Sequence, residues 1–277
     1  MRKIFCESVG KYLELKDKCE RIISFSPAIT ESLFKMGLGD YVVGVSAFCV
    51  RPKEALQKEK VGSYNATNLS KIQSLNPDII FTTTGYQRDF ALKLSEMFTV
   101  YAIPLPVTIS SVIATCIEAG YVAGYYEQAR KLERELLKKV SKIPKLEKEI
   151  NAYIEIDLGG PTTFGSFSYI TNSLSIYGIK NIFSDEHKEW FYPDFNRVLE
   201  EDPDVIIYEP KMFRPIDKEA VMKLFMKRGW INLKAVKKGH ILVTPGPYDF
   251  LAHHGPSFIE EVLPWLINSI SELQNIT

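Results

Sequence analysis

"LSKIQSLNPDIIF", residues 69–81, and "FNRVLEEDPDVIIY", residues 195–208, follow one grammar. Each opens as a short stretch with helical spacing and breaks at an Asn/Asp-Pro-Asp triplet. Each then runs on as a block of apolar residues. Proline breaks the helix, and a short apolar run after a turn signal reads as a buried strand. Two copies about 126 residues apart, with other material between them, imply two similar α/β lobes rather than one.

The same alternation continues outward from both copies. Upstream of the first, "RIISFS" (21–26) reads as a buried strand and "SPAITESLFKMGLG" (26–39) as a helix. Ser26 suits the N-cap, Pro27 the first helical position, and Gly37 or Gly39 the stop. "YVVGV" (41–45) and "VYAIPL" (100–105) read as strands, and "RDFALKLSEMF" (88–98) as a helix. Residues 3–20 read as two short strands around "ESVGK". Around the second copy, "AYIEIDL" (152–158) is a strand and "SYITNSLSIYGI" (168–179) a helix ending at Gly178. Alternating short strands and helices point to parallel α/β layers. Between the lobes, Ile109 to about Ile143 holds no proline. Apolar residues recur there at i+3/i+4 spacing, through Ile109, Ile113, Cys116, Gly120, Ala123, Tyr126, Ala129, Leu132, Leu136 and Val140. The expectation is one rod of roughly 50 Å. The domains are then a lobe over 1–106, a bridging helix over 107–144 and a lobe over 145–277.

Composition narrows the function. Lys+Arg and Asp+Glu are 34 each in 277 residues, which builds no basic face and excludes nucleic acid as a partner. No apolar run approaches the ~18 residues of a membrane span. Glu7, Lys11, Glu14, Lys16 and Asp17 interrupt any signal-peptide core, so the chain as written reads as cytoplasmic. A removed signal replaced by methionine would look the same, which leaves an extracytoplasmic address as the alternative. Cys6, Cys19, Cys49 and Cys116 form no CxxC pair. They read as buried thiols, with a Cys6–Cys19 bridge as the alternative. Nucleotide loops are absent, since "GLGDYVVG" is not GxGxxG and no GxxxxGK[ST] occurs. Asp249, His254 and Ser257 hold the letters of a hydrolase triad, but no GxSxG elbow exists and "GSFSY" lacks the second glycine. The chain does not read as an enzyme.

"ERIISFSPAITESLFKMGLGDYVVGVSAFCVRP", "VGSYNATNLSKIQSLNPDIIFTT", "GIKNIF", "DPDVII" and "HHGPSFIEEVLPWL" together resemble the helical-backbone (class III) solute-binding proteins of ABC importers. The similarity runs over roughly residues 3–266 and is nearest to the vitamin B12-binding branch. The resemblance implies two Rossmann-like α/β lobes bridged by a single long helix, with ligand in a cleft between them. It implies cobalamin as cargo, then haem or a ferric siderophore, with no resident cofactor. It also implies a monomer and an ABC permease as partner. A stiff bridge limits hinge closure, and a preformed site suits flat, rigid macrocycles.

Carried onto this sequence, the family's cleft-facing loops fall on Ala47–Cys49, Ser63–Asn65, Thr83–Tyr86, Ile156–Thr163, Trp190–Tyr192 and Tyr248–His254. They hold Phe48, Tyr64, Tyr86, Trp190, Tyr192, Tyr248 and Phe250, whose faces can cover a macrocycle. In "YDFLAHHGPSF" (248–258), Asp249 matches an aspartate that contacts ligand in the B12 branch, and His253 stands where that branch has an arginine. His253 could donate a hydrogen bond or place an imidazole on the ligand's metal; otherwise the histidine pair is only a loop. His187 falls in the charged loop "SDEHKEW" and His240 in a turn entering a strand. Where importer subunits carry one docking glutamate per lobe, this chain has Ser70 and Asn196, followed by the basic Lys71 and Arg197. Those cations would repel permease arginines. The docking contacts then read as lost or rebuilt, with Glu200 and Glu201 nearby, unless the true pairing is shifted. Two other readings share the two-lobe shape: a cytoplasmic tetrapyrrole or metal carrier, and a chelatase drafting His253 with Asp249 or Glu260.

Overall fold

A computed structural model describes residues 1–214 and 217–276. The protein is mixed α/β, with parallel strands at the centre of each of two compact units. The first unit comprises Met1–Pro106, Ser110–Lys139 and His254–Pro256; the second comprises Val107–Ile109, Val140–His253 and the chain from Ser257 onward.

In the first unit, β1 (Arg2–Cys6) and β2 (Lys11–Leu15) pair as an antiparallel hairpin. β3 (Ile22–Ser24) leads into α1 (Pro27–Lys35), whose Ser26 side chain accepts the Ile29 N–H. β4 (Val42–Ser46), β5 (Glu59–Gly62), α2 (Leu69–Leu75), β6 (Ile79–Thr83), α3 (Arg88–Leu94) and β7 (Val100–Ile103) follow. The five strands from β3 to β7 lie in the order β5-β4-β3-β6-β7, all parallel. Ile22, Ile23, Val45, Ile79, Ile80 and Phe81 are fully buried along it. This matches the near-continuous apolar strands that a sheet covered on both faces requires.

The chain then enters α4 (Ile109–Ala123) and α5 (Tyr126–Val140). A helical segment does join the units in sequence, but it is two helices rather than the single rod expected over 109–143. The break lies at Gly124, where φ is +92° and an added Cβ would stand 2.0 Å from the Asp17 carbonyl oxygen. The last carbonyls of α4 are taken by the N-terminal segment. Arg2 Nη2 donates to Val122 O at 2.9 Å, and Cys19 N donates to Ala123 O at 2.9 Å. A helix whose final carbonyls are capped from outside has no call to continue. The helical residues Ser110–Lys139 belong to the first compact unit, as do His254–Pro256. None of the four cysteines is in a disulfide and all are buried, so Cys6 and Cys19 do not bridge.

In the second unit, β8 (Ile150–Asp157), β9 (Pro161–Phe164), α6 (Tyr169–Ile176), β10 (Ile179–Asn181), β11 (Trp190–Phe191), α7 (Phe195–Glu201) and β12 (Val205–Glu209) come first. α8 (Lys218–Lys227), α9 (Lys234–Lys237), β13 (Ile241–Val243) and α10 (Leu263–Ile276) complete it. β8 is central, with β12 and β10 parallel to it; β13 lies parallel beyond β12, and β9 and β11 add an antiparallel edge. Trp230 is the largest buried side chain, with the rings of Tyr153, Phe195 and Phe225 each 5.3 Å from it. Beside it, Arg228 clasps Glu155 through two hydrogen bonds, of 2.6 and 2.9 Å. The guanidinium also stacks on Phe195, and the Tyr153 hydroxyl donates to Glu155 Oε2, so both members of this buried pair have further partners.

The two Pro-Asp junctions do the same work in each unit. Asn76 (φ 41°) ends α2 and Asp202 (φ 40°) ends α7, both in the left-handed region that Asn and Asp tolerate. The aspartate after each proline then reaches the neighbouring strand. Asp78 accepts the N–H of Glu20 at 2.8 Å and of Arg21 at 3.0 Å, while its own N–H goes to Arg21 O at 2.8 Å. Asp204 accepts the Asn151 N–H at 2.8 Å and returns its own to Asn151 O at 2.8 Å. Burial pushes the Asp78 carboxyl up, but the Lys16 ammonium and the two N–H groups outweigh that and hold it below its ordinary range.

Two expectations follow from these contacts. Asp78→Ala should lower the unfolding free energy by about 1–3 kcal/mol at neutral pH. Because the folded carboxyl titrates low, its contribution is present above the ordinary carboxylate range and disappears as pH falls through the folded value. The gap between wild type and variant should therefore close in acid, as read by urea unfolding at several pH values. Gly124→Ala should cost at least about 1–3 kcal/mol from backbone strain, and an unchanged urea midpoint would show that the Asp17 contact does not hold the break.

Candidate functional site

Parallel strands bring their carboxyl ends to one edge of a sheet, and ligands of open α/β sheets bind there. In the first unit the loops after β4, β5 and β6 carry Phe48, Tyr64 and Tyr86 to that edge. The rings form a chain. Phe48 meets Tyr64 edge-on at 6.3 Å, and Tyr64 lies nearly parallel to Tyr86, with 6.3 Å between centroids and 26° between planes. Phe48 and Tyr64 are half-buried and Tyr86 is 69 % exposed. The Tyr64 hydroxyl lies 3.5 Å from Thr83 Oγ1.

Sequence reasoning missed the residue that fixes this array. Gln87 is fully buried. Its Oε1 accepts from Thr83 N at 2.8 Å and Thr83 Oγ1 at 2.9 Å, and its Nε2 donates to the carbonyls of Phe25 and Tyr64. One amide thereby ties the ends of β3 and β6 to the Tyr64 loop. In sequence it is a glutamine before a helix, with nothing to mark it. Cys49, next to Phe48, is enclosed by Thr30 and Ser46, and burial pushes its thiol up. That makes it a poor nucleophile and a poor metal ligand.

In the second unit, Trp190 and Tyr192 are exposed, and the Tyr192 ring stands 5.7 Å from Phe195. Tyr248 and Asp249 are half-buried, and Tyr248 meets Phe213 edge-on at 5.9 Å. Phe250 is 6 % exposed and sets its ring edge-on against Trp265 at 5.3 Å. His253 is 4 % exposed and His254 is also buried, so the pair is not a solvated surface loop. Among the described residues no group of three or more His, Cys, Asp or Glu could hold a metal ion. His187 is exposed, and His240 leads into β13 with Nδ1 3.2 Å from Asp204 O.

Glu209, at the end of β12, also escaped sequence reasoning. It is buried, and its carboxyl faces the backbone N–H groups of Phe250, Leu251 and Ala252. Burial pushes this acid up, the N–H groups pull it back and the nearby Asp249 adds to the rise, with a net value of about 8.

Ser70 and Asn196 are exposed, each the second residue of its helix, in α2 and α7. The repulsion expected from their basic neighbours is corrected by the structure. Lys71 is paired with Glu59 and donates to Lys60 O at 3.1 Å. Arg197 is paired with Asp185 at 2.6 Å, Glu186 at 3.6 Å and Glu201 at 3.8 Å. Both cations are neutralised within their own units.

The periplasmic binding protein family model matches residues 22–248. An ABC transporter substrate-binding lipoprotein of Bacillus subtilis (strain 168) is 26% identical over 259 residues, 90% of this chain and 79% of that protein. A vitamin B12-binding protein of Pectobacterium atrosepticum is 26% identical over 197 residues, 68% of this chain and 71% of that protein. Among solved structures, the periplasmic vitamin B12-binding protein of Vibrio cholerae superposes with a TM-score of 0.71 at 22% identity, covering 92% of this chain and 98% of that one. No helix among the described residues is long and apolar enough to cross a membrane.

Glu209 carries a pH signature of its own. An acid raised to about 8 in the folded state keeps its proton there after the unfolded chain, with an ordinary carboxyl, has lost it. The unfolded state then binds fewer protons, and stability falls as pH rises from about 5 to about 8. Glu209→Gln should flatten that slope in thermal or urea unfolding, and an identical slope in the variant would remove Glu209 as its source.

Proposed function

The chain belongs to the periplasmic binding protein family, and from that premise we propose that it binds a metal-chelate ligand for delivery to an ABC permease. A corrinoid is the first candidate, then haem, then a ferric siderophore. The observation that carries this reading is the ring chain Phe48–Tyr64–Tyr86 at the carboxyl edge of the first unit. Flat aromatic faces suit a rigid macrocycle, and the tyrosine hydroxyls suit its amide or carboxylate rim. The vitamin B12-binding relatives are the support for ranking a corrinoid ahead of haem and siderophore. Tyr192, Tyr248, Asp249 and His253 are the contacts proposed from the second unit. His253 acts as a hydrogen-bond donor or as a single axial imidazole on a metal the ligand already holds.

The lipoprotein and periplasmic relatives favour work outside the cytoplasm over the cytoplasmic alternative. For the permease, the surfaces around Ser70 and Asn196 remain the proposed docking positions, with the charge pattern rebuilt. Around Asn196, Asp185, Glu186, Glu200 and Glu201 outnumber the cations Arg197, Lys188 and Lys180, with Glu186 shared between Arg197 and Lys188. That patch is net acidic and would attract arginines.

Titration with cyanocobalamin, haemin and a ferric siderophore, read by absorbance and melting temperature, tests the reading. One of them should stabilise the protein by several kcal/mol when far above Kd. His253→Ala and Tyr64→Ala should each weaken that ligand by about 1–3 kcal/mol, and a photoreactive analogue should label both residues 47–86 and residues 156–254. Metal insertion into free porphyrin would favour the chelatase instead.

A further inference from the structure

The segment that carries Tyr248, Asp249 and His253 is held from three sides within its own unit. From beneath, Glu209 takes three consecutive N–H groups. Oε2 accepts from Phe250 at 3.2 Å and from Leu251, and Oε1 accepts from Ala252 at 3.5 Å. From α6, the Tyr169 hydroxyl donates to Leu251 O at 2.6 Å. From α10, Trp265 meets the Phe250 ring. In an extended strand successive N–H groups point to opposite sides. Three in a row turned onto one carboxyl therefore define a curved, anion-cradle-like backbone. The curve turns Phe250 and Leu251 inward and leaves Tyr248 and Asp249 half-exposed on its outer flank.

A buried acid with no cation bound to it is a costly way to end a strand. Arg228, the nearest guanidinium to this sheet's other buried acid, is already committed to Glu155. An apolar residue in place of Glu209 would pack as well but would leave three N–H groups without an acceptor. We propose that Glu209 is a positioning residue for ligand binding: it preforms the 248–253 loop so that Tyr248, Asp249 and His253 meet the ligand without an ordering cost. The inference rests on the ligand-binding reading above, and Tyr169 is its secondary support.

The test measures backbone hydrogen exchange and affinity on the whole protein. In wild type, the amides of Phe250, Leu251 and Ala252 should exchange at least about a hundredfold more slowly than free peptide, as for buried hydrogen-bonded N–H groups. Glu209→Ala should release all three and weaken cyanocobalamin or haemin binding by about tenfold or more, the loss expected from one buried hydrogen bond. Glu209→Gln keeps one acceptor oxygen and should fall between the two. Tyr248→Ala should weaken binding with exchange at 250–252 unchanged, which separates contact from positioning. If exchange loosens in the Glu209 variants while affinity stays at the wild-type value, the positioning role is refuted and Glu209 only supports the fold. If Glu209→Ala does not fold, Tyr169→Phe and the wild-type exchange rates decide, and amides 250–252 exchanging as fast as free peptide would overturn the proposal. If wild type binds neither probe, the ligand reading fails, and the exchange arm alone then shows whether Glu209 anchors the loop.

Discussion

Asp78 accepts the backbone N–H groups just ahead of β3 and Asp204 accepts one at the start of β8, and much of the site geometry depends on that exchange. A strand entering a parallel sheet has no hairpin to set its register. Here a left-handed residue stops the helix, proline forbids its continuation, and the next aspartate binds the backbone where the central strand begins. β6 is thereby locked beside β3 with Ile79 opposite Ile22, and β12 beside β8 with Val205 opposite Ala152. Level strands end level. In the first unit that brings the Phe48, Tyr64 and Tyr86 loops to one edge. In the second it sets Glu209 at the height of the 248–253 loop.

Legibility in the sequence follows how local each cause is. Ser26 could be read as a cap because a cap is made within three residues. The Pro-Asp grammar could be read because its chemistry is contiguous, although what each aspartate binds could not. Gly124 was passed over in an otherwise regular apolar stripe because its reason is the Asp17 backbone, more than a hundred residues away in sequence. Lys71 and Arg197 looked repulsive because Glu59 and Asp185 are brought to them only by folding.

The candidate site divides in the same way. Aromatic residues announce themselves in a loop, but whether a ring faces ligand or core depends on a partner elsewhere. Phe250 reads in sequence as one more loop aromatic, and only the fold sets Trp265 against its ring. Gln87 and Glu209 were invisible for the opposite reason. A polar residue at a strand or helix end is ordinary in sequence, and only its complete enclosure by backbone donors and acceptors marks it as structural support.

The four buried thiols bear on the chemistry of the compartment in which the protein works. Disulfide exchange needs an accessible thiolate. Cys6, Cys19, Cys49 and Cys116 are all enclosed, burial pushes Cys19 up to about 11, and Cys49 moves the same way. The folded chain thus offers disulfide-forming reagents almost no thiol to attack. It can persist in a disulfide-forming medium without a single bridge, protected by the exclusion of reagent from its thiols rather than by having already been oxidised.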